Sequence, residues 1–236
     1  MKRILISLVL FSLATANAFG AYVFGYTGGG VGGATLTVNT DSGALTYVHN
    51  AFELGWYDNT GEHNPDNDNY IASDDTIAPS TLNGQHHNFF VFRLGQGIIE
   101  GNILSATLTI FNPIDGYEGP AQGVIYSLWD VDWSQNDPYR TLMTGGNGLV
   151  SVFNDLGSGT TFGSQLVLPT DVDGNIVINL NADGLIAIAN ASNIEGASLF
   201  AIGGSISPVN GQVPEPGTYA LMGAGLLGLA ALRRRK

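Results

Sequence analysis

The chain of 236 residues contains no cysteine, and residues 19–213 contain no lysine. Without cysteine there is no disulfide, thiolate metal site or cysteine nucleophile. In that region Arg93 and Arg140 stand against 19 acidic residues (20 in the chain less Glu215), a formal charge of 2 − 19 = −17. A surface this acidic repels phosphate backbones and anionic lipid headgroups. The composition therefore excludes nucleic acid as a partner.

Long apolar runs are also lacking, and the two runs present lie at the chain ends. At the front, a basic dipeptide precedes an apolar run over residues 4–13, and the small residues Ala16 and Ala18 stand where a signal peptidase reads. This pattern predicts a secretory signal peptide over residues 1–18, cleaved after Ala18. The protein is therefore expected to be exported.

The C-terminal end has three parts in a fixed order. Pro214, Glu215 and Pro216 are followed by an uncharged run over residues 219–232, and the chain closes with Arg233, Arg234, Arg235 and Lys236. As a helix the run is at most about 21 Å long, whereas a bilayer core is ~30 Å thick. We expect a transient membrane stop with its basic end in the cytoplasm; the alternative is an ordinary C-terminal anchor.

These parts of the tail resemble the PEP-CTERM sorting signal of bacterial envelope and exported proteins. The resemblance implies that an exosortase-type membrane protease reads the tail, cleaves near Pro214-Glu215-Pro216 and delivers the protein to the cell surface. It also implies a setting rich in exopolysaccharide. The resemblance covers the tail, so it concerns destination more than activity.

Between the two ends, short alternating apolar segments predict an all-β sandwich. Expected strands cover residues 35–39, 45–49, 88–94, 105–112, 124–131, 150–153, 165–168, 176–180 and 199–206. An alanine-rich segment over 182–191 predicts one short helix. We expect a sandwich domain at 19–206, a linker at 207–217 and a sorting segment at 218–236.

The segments 87–92, 103–108 and 200–204 are similar to cargo domains attached to such tails, and to jelly-roll carbohydrate-binding modules. The resemblance implies a jelly-roll-like fold and, more weakly, sugar binding, because a fold does not fix a function.

An acidic loop over residues 58–75 is the first candidate site. Calcium prefers six to eight oxygen ligands, and this loop offers carboxylates from Asp58, Glu62, Asp66 and Asp68 among several asparagines. The alternative is a solvated loop, since Asn and Asp favour turns on their own account. Calcium is therefore a candidate ligand, and the histidines show no zinc-binding spacing.

Aromatic residues near carboxylates form the second candidate site. Trp56, Tyr57 and Trp133 are candidate glycan contacts, because an aromatic face stacks on the apolar face of a sugar ring; the alternative is core packing. No catalytic motif is present. We expect a non-enzymatic matrix or surface protein associated with exopolysaccharide; the alternatives are a secreted glycan hydrolase using Asp or Glu, and a structural coat protein.

Overall fold

The computed structural model describes residues 21–24, 33–42, 45–67, 69–77, 84–94, 101–131, 142, 147–192 and 198–209. Most of these residues lie in strands, which confirms the predicted all-β class. The strands are β1 (Ala21–Val23), β2 (Ala34–Thr40), β3 (Thr46–Asp58), β4 (Ala72–Asp74), β5 (His86–Arg93), β6 (Ile103–Asn112), β7 (Tyr117–Glu118), β8 (Val124–Asp130), β9 (Thr161–Val167), β10 (Gly174–Asn179) and β11 (Leu199–Pro208). The helices in the described residues are α1 (Val150–Asp155) and α2 (Ala182–Ser192).

One antiparallel sheet in the order β10-β6-β2-β3-β5-β11-β8-β9 makes both layers of a sandwich. The long strand β3 belongs to both layers, because its first half pairs with β2 and its second half with β5. The register shifts between Ala51 and Glu53, where the strand passes from one layer to the other. We call β10-β6-β2-β3 the first layer and β3-β5-β11-β8-β9 the second layer.

The main core lies between the two layers and follows from period-2 alternation. Strand β6 alternates as predicted, with Ala106, Leu108 and Ile110 buried. The second layer contributes large rings and aliphatic groups, which include Phe90, Phe92, Tyr126, Leu128, Phe200 and Ile202. Helix α2, predicted from its alanine content, turns Ile188 and Ala191 toward this core.

Helix α1 covers the outer face of the second layer. Phe153 and Leu156, three residues apart, are buried there in a second cluster with Tyr57, Phe89 and Val91. The predicted strand over residues 150–153 was therefore wrong. Its four residues are too few to distinguish a strand from a helix, and the spacing of Phe153 and Leu156 puts both on one side of a helix.

The last strand is longer than expected. Residues 199–208 form β11, and Ser207 and Pro208 pair with Ile125 and Val124 of β8. The linker predicted at 207–217 therefore begins within a strand, and the rest of it from residue 210 lies outside the described residues. Proline is tolerated at this position because it ends the strand.

Candidate functional site

The predicted acidic loop and its flanking aromatics meet where β3, β4 and β5 come together. His86 on β5 lies edge-on to the Trp56 ring, with 4.7 Å between ring centroids. Its Nδ1 lies 2.7 Å from the hydroxyl of Ser73 on β4, and both side chains are buried. Burial lowers the pKa of His86, an effect that Asp58 opposes. This site therefore consists of the buried contact between His86 and Ser73 beside the partly exposed indole of Trp56.

The carboxylates of the acidic loop are used to shape turns. Asp58 Oδ1 accepts hydrogen bonds from Thr60 N (2.9 Å), Thr60 Oγ1 (2.7 Å) and Glu62 N (2.8 Å). Asp74 Oδ1 likewise accepts from Thr76 N (2.8 Å) and Thr76 Oγ1 (2.6 Å). Such side-chain-to-backbone bonds are the ordinary reason for Asp in turns.

Across the described stretches, no group of three or more His, Asp or Glu side chains is placed to hold a metal ion. Glu62 and Asp66 are exposed to solvent, and Asp68 lies outside the described residues. Calcium binding at this loop stays a prediction.

Of the three candidate glycan contacts, Tyr57 is corrected by the structure. Its side chain is 0% exposed, and its hydroxyl donates to Leu142 O at 3.2 Å. Burial raises the pKa of Tyr57 to about 12. Tyr57 packs in the second cluster beneath α1, so its ring has no face open to a sugar. Trp56 is partly exposed, and Trp133 lies outside the described residues.

The adjacent histidines His86 and His87 of β5 point to opposite faces of the sheet, as alternation along a strand requires. The His87 ring stacks on Phe153 of α1 with 4.0 Å between centroids and an interplanar angle of 4°. Its Nδ1 lies 2.7 Å from Phe153 O, and burial lowers its pKa. His87 therefore holds α1 on the sheet rather than forming a chelating pair with His86.

The outer face of the first layer was not recognised from the sequence. Its centre is a square of four threonines, because Thr35 pairs with Thr109 and Thr37 with Thr107 on β2 and β6. We call this surface the threonine face. The rim consists of Asn39, Thr46, Val48, Asn50, Ser105, Phe111, Asn175, Val177 and Asn179.

No outward-pointing residue of these four strand segments carries a charge. Cross-strand hydrogen bonds join part of the rim, from Thr35 Oγ1 to Asn50 Oδ1 (3.2 Å) and from Asn39 Nδ2 to Ser105 Oγ (3.0 Å). Val48 and Val177 flank the square and are 62% and 48% exposed. The signal in the sequence was the alternation Thr-x-Thr-x-Asn in β2 and Ser-x-Thr-x-Thr in β6.

Residues 212–236 match a family model described as the PEP-CTERM protein-sorting motif. The match confirms the prediction made from Pro214, Glu215, Pro216 and the basic end. The chain therefore carries the signal of an exported envelope or surface protein that an exosortase-type membrane enzyme sorts. No curated protein matches the chain, and no solved structure does.

None of the described helices is long and apolar enough to cross a membrane. The predicted signal peptide with Ala16 and Ala18, and the predicted membrane stop with Arg233, Arg234, Arg235 and Lys236, lie outside the described residues.

Proposed function

We propose that this protein is a non-enzymatic component of the cell surface or extracellular matrix that associates with exopolysaccharide. The observation that carries the proposal is the sorting motif over residues 212–236. A protein addressed to the envelope works among the polymers of that compartment. With only two arginines against 19 acidic residues over 19–213, the protein is repelled by nucleic acid and anionic lipid, which leaves carbohydrate as the abundant polymer it meets.

The sandwich offers surfaces that suit this role. Trp56 is partly exposed beside the acidic loop, and indole rings combine apolar area with a polar edge. The threonine face offers hydroxyl and amide groups without charge. Either surface supports binding of a polymer without chemistry being done on it.

The test is binding of the processed protein, purified from producing cells, to the exopolysaccharide of those cells. We expect saturable binding by analytical ultracentrifugation, with the polymer length unchanged. The assay is repeated with calcium and with a chelator, which separates a metal-dependent site from a metal-independent one. Shortening of the polymer would establish the glycan hydrolase instead, and neither binding nor cleavage would leave a structural coat protein.

We further propose that the tail is a temporary stop, cleaved near Pro214-Glu215-Pro216. Mass spectrometry of protein from the envelope should then find no peptide beyond about Pro216. The matched control is a double variant, Pro214→Ala with Glu215→Ala, which should keep the tail and accumulate in the inner membrane. Recovery of the intact Arg233–Lys236 end on most wild-type molecules would show a permanent anchor.

A further inference from the structure

We propose that the threonine face is the polysaccharide-binding surface and that it takes an uncharged glycan chain lying flat across β6 and β2. This inference rests on the proposed exopolysaccharide association and names its site and its class of ligand. The four central threonines carry it, because their register puts four hydroxyls and four methyl groups at neighbouring outward positions of β2 and β6.

The chemistry of the surface matches that of a sugar ring. Each threonine hydroxyl both donates and accepts, and each amide of the rim does the same. Among the described residues, the hydroxyls of Thr37 and Thr107 have no hydrogen-bond partner within the protein. They are available to ring hydroxyls, while Val48 and Val177 offer exposed apolar area to the C–H face of a sugar.

The spacing of the surface is regular. Paired residues on neighbouring strands lie about 4.5–5.5 Å apart between Cβ atoms, and alternate residues along one strand about 6.6 Å apart. The four hydroxyls therefore form a grid, and the distances between neighbouring threonines are close to the length of one sugar unit. Because β-branched side chains have few rotamers, the grid is ordered before a ligand arrives.

Charge selects the class of ligand. Residues 19–213 have a formal charge of −17 (2 − 19), yet the outward-pointing residues named for this face are all uncharged. A neutral polymer meets no repulsion there, and no charged side chain has to lose its water when it binds. A polyanionic glycan, or a second copy of this acidic chain, approaches against the field of the whole molecule.

The two outer faces of the sandwich also differ in what covers them. Helix α1 packs on the outer face of the second layer through Phe153 and Leu156. Helix α2 contacts β6 but turns Ile188 and Ala191 into the core between the layers, and on the threonine face Val48 and Val177 remain open to solvent.

The experiment compares the wild-type protein with the double variant Thr37→Val with Thr107→Val, both purified from producing cells in the same processed form. Valine keeps the shape of threonine and removes the hydroxyl, so the sheet should fold unchanged. The probes are the matrix polysaccharide, soluble hydroxyethyl cellulose as a neutral glucan, and alginate as a polyanion. The matched control is Thr161→Val with Thr170→Val, two exposed threonines outside the face.

We expect the double variant to bind the neutral glucan and the matrix polysaccharide about tenfold more weakly, ~1.4 kcal/mol, and the control variant to bind normally. Binding of the neutral glucan should change little between about 0.05 and 0.5 M sodium chloride. Equal binding by wild type and double variant would overturn the site while leaving the proposed function standing. Preference for alginate would overturn the neutral class, and no binding to any polysaccharide would remove the proposed function itself.

Discussion

Among side chains of its size, Asn88 is the one whose truncation should most reduce the free energy of unfolding. It lies on β5 with its side chain 0% exposed. Its Nδ2 donates to Tyr70 O at 2.7 Å, and its Oδ1 accepts from the Tyr126 hydroxyl at 2.8 Å. Tyr70 lies near the end of the long loop that follows β3, so this amide helps to fasten the acidic loop to the main core, together with the bond from the Tyr70 hydroxyl to Phe111 O (3.0 Å).

Replacing Asn88 with alanine removes the partner of the buried Tyr126 hydroxyl and one hydrogen bond to Tyr70 O. A buried donor without a partner costs about 1–3 kcal/mol, the lost second bond adds about 0.5–1.5 kcal/mol, and the missing side chain adds a cavity term. We expect Asn88→Ala to lower the free energy of unfolding by about 3–5 kcal/mol, a large share of the 5–15 kcal/mol typical of a domain. The exposed Asn175→Ala on β10 should change it by less than about 0.5 kcal/mol.

The assay is urea unfolding followed by tryptophan fluorescence, with the slope compared between variants to establish that the same surface unfolds. A double-mutant cycle with Tyr126→Phe tests the pairing of Asn88 and Tyr126 directly. Tyr126→Phe removes the orphaned donor, so the double variant should be about 1 kcal/mol or more less destabilised than the sum of the single variants. Additivity would refute the argument, because it would mean that the two side chains do not depend on each other.

Three further predictions concern acid, packing and metal. Burial lowers the pKa of His63, His86 and His87 below their unfolded value of 6.5. Their contribution to stability is therefore complete above pH 6.5 and is lost as the pH falls through the folded pKa values. The urea midpoint should drop by pH 5.5, and a midpoint that does not change with pH would contradict this prediction. A Cβ at Gly203 would lie 2.5 Å from Leu156 O, so Gly203→Ala should displace α1 and cost about 1–3 kcal/mol, whereas Gly174→Ala, with no atom nearer than 3.9 Å, should cost little. If the acidic loop binds calcium, millimolar calcium should raise Tm through linkage and Asp66→Asn should reduce the rise; an unchanged wild-type Tm would end the calcium prediction.

The sequence was informative where a pattern is local. Alternation in residues 105–112 predicted both the strand β6 and its buried side, and the alanine-rich segment at 182–191 predicted α2. Both patterns repeat within one element, so no knowledge of neighbours is needed. The alternating segments 35–39 and 45–49 likewise predicted β2 and the start of β3.

The sequence was uninformative where an outcome depends on distant contacts. Tyr57 is buried because α1, some ninety residues later, packs over its face of the sheet. Short apolar runs such as Val150–Phe153 fit a strand or a helix equally well until the packing partner is known. The threonine face has the same origin: each strand shows its threonines, but the square exists only because β2 lies beside β6.

The last described strand and the threonine face lie on different layers of the sandwich. The last strand, β11, belongs to the second layer, where it is enclosed between β5 and β8. The threonine face is the outward side of the first layer, and the main core lies between the two layers. Because that surface is formed by strands rather than loops, its hydroxyl grid is maintained by the same backbone hydrogen bonds that hold the sandwich together.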